Sequence, residues 1–183
     1  MSSLQWDGWL ANTQKRVSPN FNARPSGEVD LLVVHCISLP EGSYGGPWVD
    51  KLFLNQIRGN EHPSFADLEG LEVSAHFFIT RDGRLSQYVS CLERAWHAGL
   101  SSFNGRSNCN DFSLGVELEG CDEDGYEKIQ YQVLVDLVKQ LQGYFPALTL
   151  DRIVGHEHIA PGRKTDPGPH FAWQKFREEL EKA

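Results

Sequence analysis

The run Leu31-Leu32-Val33-Val34-His35-Cys36-Ile37 constrains the fold of this chain more than any other feature. It is apolar and β-branched, the composition of a buried strand. A sheet built on such a strand needs cover, and other segments supply it. Residues 127–145 place Leu134, Leu137, Val138, Leu141 and Phe145 on one helical stripe, which belongs to the core. Residues 47–57, which open with a proline, and residues 171–180 read as two more helices. Residues 71–80 and 85–89 read as strands joined by an Arg-Asp-Gly-Arg turn. Residues 112–119 read as a strand that points Leu114, Val116 and Leu118 one way and Gly115, Glu117 and Glu119 the other. A short strand or its approach is expected over 152–155. Some strands arrive by hairpin and others by helical crossover. The expected fold class is therefore α/β (α+β), a single domain with a central mixed β-sheet flanked by helices. Residues 1–30 form an extended lead-in, and 31–170 form the core.

Length and charge narrow the function. The chain has 183 residues, with 17 Lys+Arg against 25 Asp+Glu, for a net charge of −8. That length suits one domain. No run approaches the ~20 apolar residues of a membrane span. The acidic balance argues against nucleic acid as a partner, and a small, locally recognised substrate fits better. The opening segment MSSLQWDGWLANTQKR has no apolar secretory core, so a cytoplasmic location is expected. Cys36, Cys91, Cys109 and Cys121 form no C-x-x-C pair. They read as free structural thiols.

Four places hold residues that can carry chemistry or bind a substrate. His35 sits inside an otherwise apolar strand, where burial is costly unless its ring nitrogens are satisfied. Residues 155–169 bring His156, Lys164 and Asp166 into a proline-stiffened loop that lacks the H-E-x-x-H pattern. Two imidazoles and one carboxylate match the three protein ligands of a catalytic zinc site; the alternative is a polar surface loop. Glu117 and Glu119 share one strand face, either as a glycosidase pair, as one catalytic residue with a neighbour, or as a wetted surface. Lys164 is either a surface lysine or an oxyanion partner beside a metal. Trp96-His97 offers an aromatic wall for a sugar, or a buried tryptophan. The glycine-rich segment 41–46 follows the His35 strand closely and is a candidate lid.

Taken together, VVHCIS, VSAHFFITRDGRLSQYV, AWHAG, NDFSLGVELEG and GHEHIAPGRKTDPGP resemble the zinc N-acetylmuramoyl-L-alanine amidases of the type-2 amidase and peptidoglycan-recognition fold. The segments follow the family's order over most of the chain. The lead-in SPNFNARP and the IAPGRKTDPGP segment are most similar to the AmpD-type group of cytosolic cell-wall-recycling amidases. The resemblance implies hydrolysis of the lactyl–L-alanine amide between 1,6-anhydro-N-acetylmuramic acid and its stem peptide. It implies one Zn2+ held by His35, His156 and Asp166, with Glu117 and Lys164 catalytic. It also implies that Trp96 and His97 line the substrate. The partner it implies is a small anhydromuropeptide, with no nucleic acid, no membrane and a monomeric chain. A regulatory effect on β-lactamase expression through accumulated muropeptides comes with it. The chain departs from the family pattern at Cys36, where asparagine is expected, and at Glu72 and Asn108, where arginines are expected. Arg106 is then the nearest spare cation for a substrate carboxylate. Two rivals remain at this point: a non-catalytic recognition module, and a muramidase using Glu117 and Glu119.

Overall fold

The computed structural model describes residues 6–182; the first five residues of the lead-in and Ala183 lie outside the described residues. In chain order the elements are β1 (Gln14–Lys15), β2 (Phe21–Ala23), β3 (Leu31–Ile37), α1 (Trp48–Phe53), β4 (Phe77–Ile79), β5 (Leu85–Gln87), β6 (Glu93–Ala95), β7 (Ser102–Phe103), β8 (Arg106–Ser107), β9 (Ser113–Glu119), α2 (Lys128–Tyr144), β10 (Ile153–Gly155), α3 (His156–Ile159) and α4 (Trp173–Lys182). Six strands make one mixed sheet in the order β1-β5-β4-β9-β3-β10. β4, β9, β3 and β10 run parallel, and β5 returns antiparallel to β4. The mixed sheet inside one domain is thus as expected.

The two faces carry different loads. Leu32 and Val34 of β3 and Leu114, Val116 and Leu118 of β9 pack against α2 and α4 in the largest core cluster. The alternation read from residues 112–119 and the stripe read from 127–145 meet there. Each Leu buried in that layer contributes about 1.5–3 kcal/mol. Gln130 ties the start of α2 to the strand ends. Its Oε1 accepts from the Glu127 N–H at 3.0 Å, and its Nε2 donates to the carbonyls of Glu119 (3.1 Å) and Ile79 (3.3 Å). The opposite face holds two smaller clusters. One gathers α1 around Phe78 and Tyr88, and the other gathers Phe112, Val154 and Ile159 around Leu31 and Val33. The first reaches Ile37 at the carboxyl end of β3, the end at which open α/β sheets place their sites, and the second holds Leu31 and Phe112 at the amino ends of β3 and β9.

The structure corrects several sequence expectations. The lead-in is not plain extended chain, since β1 pairs with β5 and β2 pairs with β6. The strand expected over 71–80 is reduced to Phe77–Ile79, because the Ser74 N–H donates to Trp96 O rather than to β9. The helix expected over 47–57 stops at Phe53. The segment after β10 is not loop from its start, because His156–Ile159 make one helical turn. All four cysteines are free; burial pushes the thiols of Cys36, Cys91 and Cys109 up, which keeps them protonated.

Candidate active site

In the parallel register of β3 and β9, His35 stands opposite Glu117. Both side chains project from the face that α2 leaves free. His156 follows β10 directly, and β10 pairs with the other edge of β3. Asp166 returns to the same place by a fold in the loop. Pro161 and Gly162 (φ +76°) end α3, and the Lys164 N–H donates back to Ala160 O at 3.0 Å. The Glu157 N–H then donates to Asp166 O at 3.0 Å and fixes the carboxylate beside its helix.

Among the described residues, His35, His156 and Asp166 form a group able to hold a metal. His35 Nδ1 lies 3.0 Å from both His156 Nδ1 and Asp166 Oδ2, and His156 Nδ1 lies 3.1 Å from Asp166 Oδ2. The chemistry of this donor set calls for a cation. His156 Nε2 faces the Ala98 carbonyl at 3.0 Å and must carry the proton to donate to it. In the neutral ring, His156 Nδ1 is then a bare lone pair pointed at a carboxylate oxygen. Two acceptors at that distance repel unless positive charge lies between them. The edges of a tetrahedral zinc site with ligands at about 2.0–2.1 Å are about 3.3–3.4 Å long, so the triangle fits zinc with a small expansion.

Electrostatics agree with the geometry. Burial, together with the nearby His156, holds the His35 imidazole down at about 4, against the pull of Asp166. His35 is therefore neutral and free to ligate at pH 7. Burial alone would raise the Asp166 carboxyl, but the adjoining imidazoles of His156 and His35 outweigh it and hold the group well below the usual carboxylate range. Burial, helped by the charge of Asp166, pushes Glu117 well above that range, and Lys164 pulls it back. Among the described residues Glu117 Oε2 has no hydrogen-bond partner, and it is buried, which leaves it open to a water or a substrate N–H.

These groups line one cavity of about 550 Å³. His35, His156, Asp166, Glu117 and Lys164 are among its polar lining, and Trp96, Leu68, Leu71 and Val73 are among its apolar lining. Trp96 is half-buried, with its indole N–H donated to Asn22 Oδ1 at 2.7 Å. His97 also lines the cavity, but its ring nitrogens are both engaged, by His35 Nε2 at 2.9 Å and by Ser113 Oγ at 3.2 Å. It is held by the protein rather than offered as a free stacking wall.

Three expectations are altered. Arg106 does not line the cavity. It pairs with Asp30 at 2.6 Å and with Glu28 at 3.5 Å, and its guanidinium lies 3.7 Å over the Phe112 ring. Glu119 is neither wetted nor available as a second catalytic carboxylate. It is buried, and its oxygens accept the N–H groups of Gly45 and of Arg81, the latter at 2.9 Å. The segment 41–46 is consequently tied down rather than free to swing. Gly42 N–H donates to Ser38 Oγ at 2.8 Å, Gly45 is held by Glu119, and Tyr44 donates to Asp124 under the Arg81 guanidinium.

Sequence reasoning missed Asn110 and Ser113, which hold the neighbours of the histidines. It also missed the β7–β8 hairpin that carries Arg106. Its turn is Asn104-Gly105, both at positive φ, and an Asn-Gly pair between short strands is the signal that reveals such a hairpin.

Comparison with known proteins shows the family. Residues 25–169 match the model of the N-acetylmuramoyl-L-alanine amidase family. A 1,6-anhydro-N-acetylmuramyl-L-alanine amidase AmpD of Citrobacter freundii is 52% identical over 172 residues, covering 93% of this chain and 91% of the relative. A crystal structure of a selenomethionine AmpD derivative superposes with a TM-score of 0.91 at 50% identity, covering 96% of this chain and 98% of the other. The amidase AmiD of E. coli, solved as a complex with anhydro-N-acetylmuramic acid–L-Ala–D-γ-Glu–L-Lys, superposes with a TM-score of 0.61 at 28% identity. That match covers 86% of this chain and 60% of the AmiD chain. The chain belongs to the N-acetylmuramoyl-L-alanine amidase family. Within the family it is of the AmpD type, with a likeness that runs through nearly the whole chain.

Proposed function

We propose that this chain is a zinc-dependent amidase that cuts the lactyl–L-alanine amide of 1,6-anhydro-N-acetylmuramyl peptides, in cytoplasmic cell-wall recycling. The observation that carries the reading is the triangle of His35, His156 and Asp166 donor atoms, closed to 3.0–3.1 Å beside the unpartnered carboxyl oxygen of Glu117. The names of the relatives, and the anhydromuropeptide held by AmiD, support the substrate class.

His35, His156 and Asp166 hold the zinc. When bound, zinc supplies Lewis acidity that polarises a carbonyl and makes water nucleophilic at neutral pH. Glu117 takes the proton of the attacking water on Oε2 and hands it to the departing alanine nitrogen. Its place on β9, opposite His35, fixes that oxygen without a mobile arm. The Lys164 ammonium faces the developing oxyanion. Trp96 and the apolar side of the cavity receive the sugar and exclude water around it. Arg106 takes no part, because its charge is spent on Asp30 and Glu28. Turnover in the cytoplasm by this monomeric enzyme would also limit the muropeptides that influence β-lactamase expression.

The test is mass spectrometry of the products from purified anhydromuramyl-tripeptide, with chelator and then with zinc restored. Free tripeptide and anhydro-sugar, lost on chelation and recovered with zinc, are expected. Asp166→Ala should lose the metal. Glu117→Ala should keep it and lose about 10²–10⁴-fold in kcat. Unchanged substrate in the zinc-loaded protein would indicate a recognition module instead, and near-normal turnover by Glu117→Ala would remove the general base.

A further inference from the structure

One dipeptide touches both histidines of the metal triangle from behind. His97 Nδ1 lies 2.9 Å from His35 Nε2, and the Ala98 carbonyl lies 3.0 Å from His156 Nε2. The dipeptide is itself clamped. The buried carboxamide of Asn110 uses its single oxygen to accept both backbone N–H groups, from His97 at 3.1 Å and from Ala98 at 2.7 Å. Arg163 adds a bond from Nη2 to the same Ala98 carbonyl at 2.7 Å. On the far side, His97 Nε2 meets Ser113 Oγ at 3.2 Å, and the ring lies directly against Gly115, where there is no side chain.

These contacts set a proton order. An imidazole that binds a metal through Nδ1 carries its proton on Nε2. His35 then donates from Nε2 to His97 Nδ1, and His97 donates from Nε2 to Ser113 Oγ. His156 donates from Nε2 to the Ala98 carbonyl. Each bond points the same way, outward from the triangle. With the roles reversed at His97, its Nδ1–H would face the His35 Nε2–H and the chain would break.

We propose that His97–Ala98, clamped by Asn110, is a template that holds both metal-binding imidazoles in the Nε2–H form and so sets the zinc affinity of the site. This inference rests on the zinc reading above. His97 and Asn110 are positioning residues here: they act through His35 and His156 and are not themselves metal ligands. Such partners of ligating histidines are worth about 10–100-fold in metal affinity.

The experiment has two readouts, neither of which is turnover. In zinc-loaded protein carrying 15N-histidine, a scalar coupling across the hydrogen bond is expected between His35 Nε2 and His97 Nδ1, with His97 protonated on Nε2 alone. Zinc affinity is then measured by competition with a chromogenic chelator, with thermal melting of the zinc-free proteins as the check on folding. His97→Phe and Asn110→Ala should bind zinc about 10–100-fold more weakly, while His97→Asn, which puts an amide oxygen where Nδ1 was, should recover most of the loss. A missing coupling, a His97 protonated on Nδ1, or a folded His97→Phe with wild-type affinity would each overturn the template. If His97→Phe does not fold, the coupling in the wild type decides. Failure of the zinc reading looks different, because then the wild type and Asp166→Ala would bind zinc equally poorly.

Discussion

Gly115→Ala tests the packing behind the site. An added Cβ on Gly115 would lie 2.5 Å from His97 Cγ, 2.7 Å from its Nδ1 and 2.8 Å from its Cδ2. Ordinary contact begins near 3.4 Å, so the ring must retreat by 3.4 − 2.5, about 0.9 Å. It has little freedom to do so. Its two nitrogens are bonded at 2.9 and 3.2 Å, and its backbone N–H is held by Asn110. A shift of that size away from Gly115 tilts the His35–His97 hydrogen bond out of line and weakens it. Overpacking of this kind costs about 1–3 kcal/mol, and the weakened bond adds about 1 kcal/mol. Gly115→Ala should therefore lose about 2–4 kcal/mol of stability in urea unfolding of the zinc-free protein, read from the midpoint at constant m. The alternative relaxation, outward movement of β9, displaces Glu117 two residues along and lowers turnover as well. A variant within about 0.5 kcal/mol of wild type, the range of a neutral surface change, would refute the packing argument.

Further perturbations separate the roles of the other groups. Lys164→Met should leave zinc content unchanged and slow kcat by about 100-fold or more, as removal of an oxyanion partner does; wild-type kcat in the product assay would dismiss it. His76 is buried, with Nδ1 accepting the Gly115 N–H at 3.0 Å and Nε2 donating to Glu93 O at 3.0 Å, and burial with the adjacent Arg24 cation holds its pKa well below the usual range. Below about pH 6.5 the unfolded chain binds a proton that the folded chain refuses, so stability falls as pH falls, by about 1.4 kcal/mol per unit for this histidine. Urea unfolding from pH 7.5 down to about 5 should show a slope shallower by about one proton in His76→Gln, and an unchanged slope would exonerate His76. Glu119→Ala leaves the N–H groups of Gly45 and Arg81 without their carboxylate, at a cost of about 2–3 kcal/mol. Hydrogen exchange at the Gly45 amide should accelerate in that variant, and unaltered protection would show that segment 41–46 is held by something else.

What was legible in the sequence, and what was not, follows the range of the forces involved. β9 and α2 declare themselves because burial of one face imposes a period on neighbouring residues, and β3 because burial of both faces makes it a continuous apolar run. β1 and β2 carry no such period. Their residues are exposed, and they are strands only because distant partners β5 and β6 offer free backbone groups. The 71–80 segment misled for the converse reason: its residues suit a strand, but Ser74 bonds to Trp96, and the ladder ends before Phe77.

The site divides in the same way. That His35 sits on a buried strand and Glu117 on the open face of another can be read locally. That the two stand opposite each other is a matter of register between strands about eighty residues apart. The return of Asp166 to His156 depends on backbone bonds made within the folded loop, from Lys164 N–H to Ala160 O and from Glu157 N–H to Asp166 O. His97 shows the limit most clearly. Its neighbours Trp96, Ala98 and Gly99 suggest an exposed aromatic corner. Its real surroundings are Gly115 beneath the ring, Ser113 and His35 at its two nitrogens, and Asn110 on its backbone, all contributed by β3, β9 and the turn before β9. The glycine that shares a strand face with Glu117 and Glu119 is the seat of that ring. The catalytic types announce themselves by their chemistry, whereas the residues that aim them are ordinary in type and become meaningful only through contacts made by the folded chain.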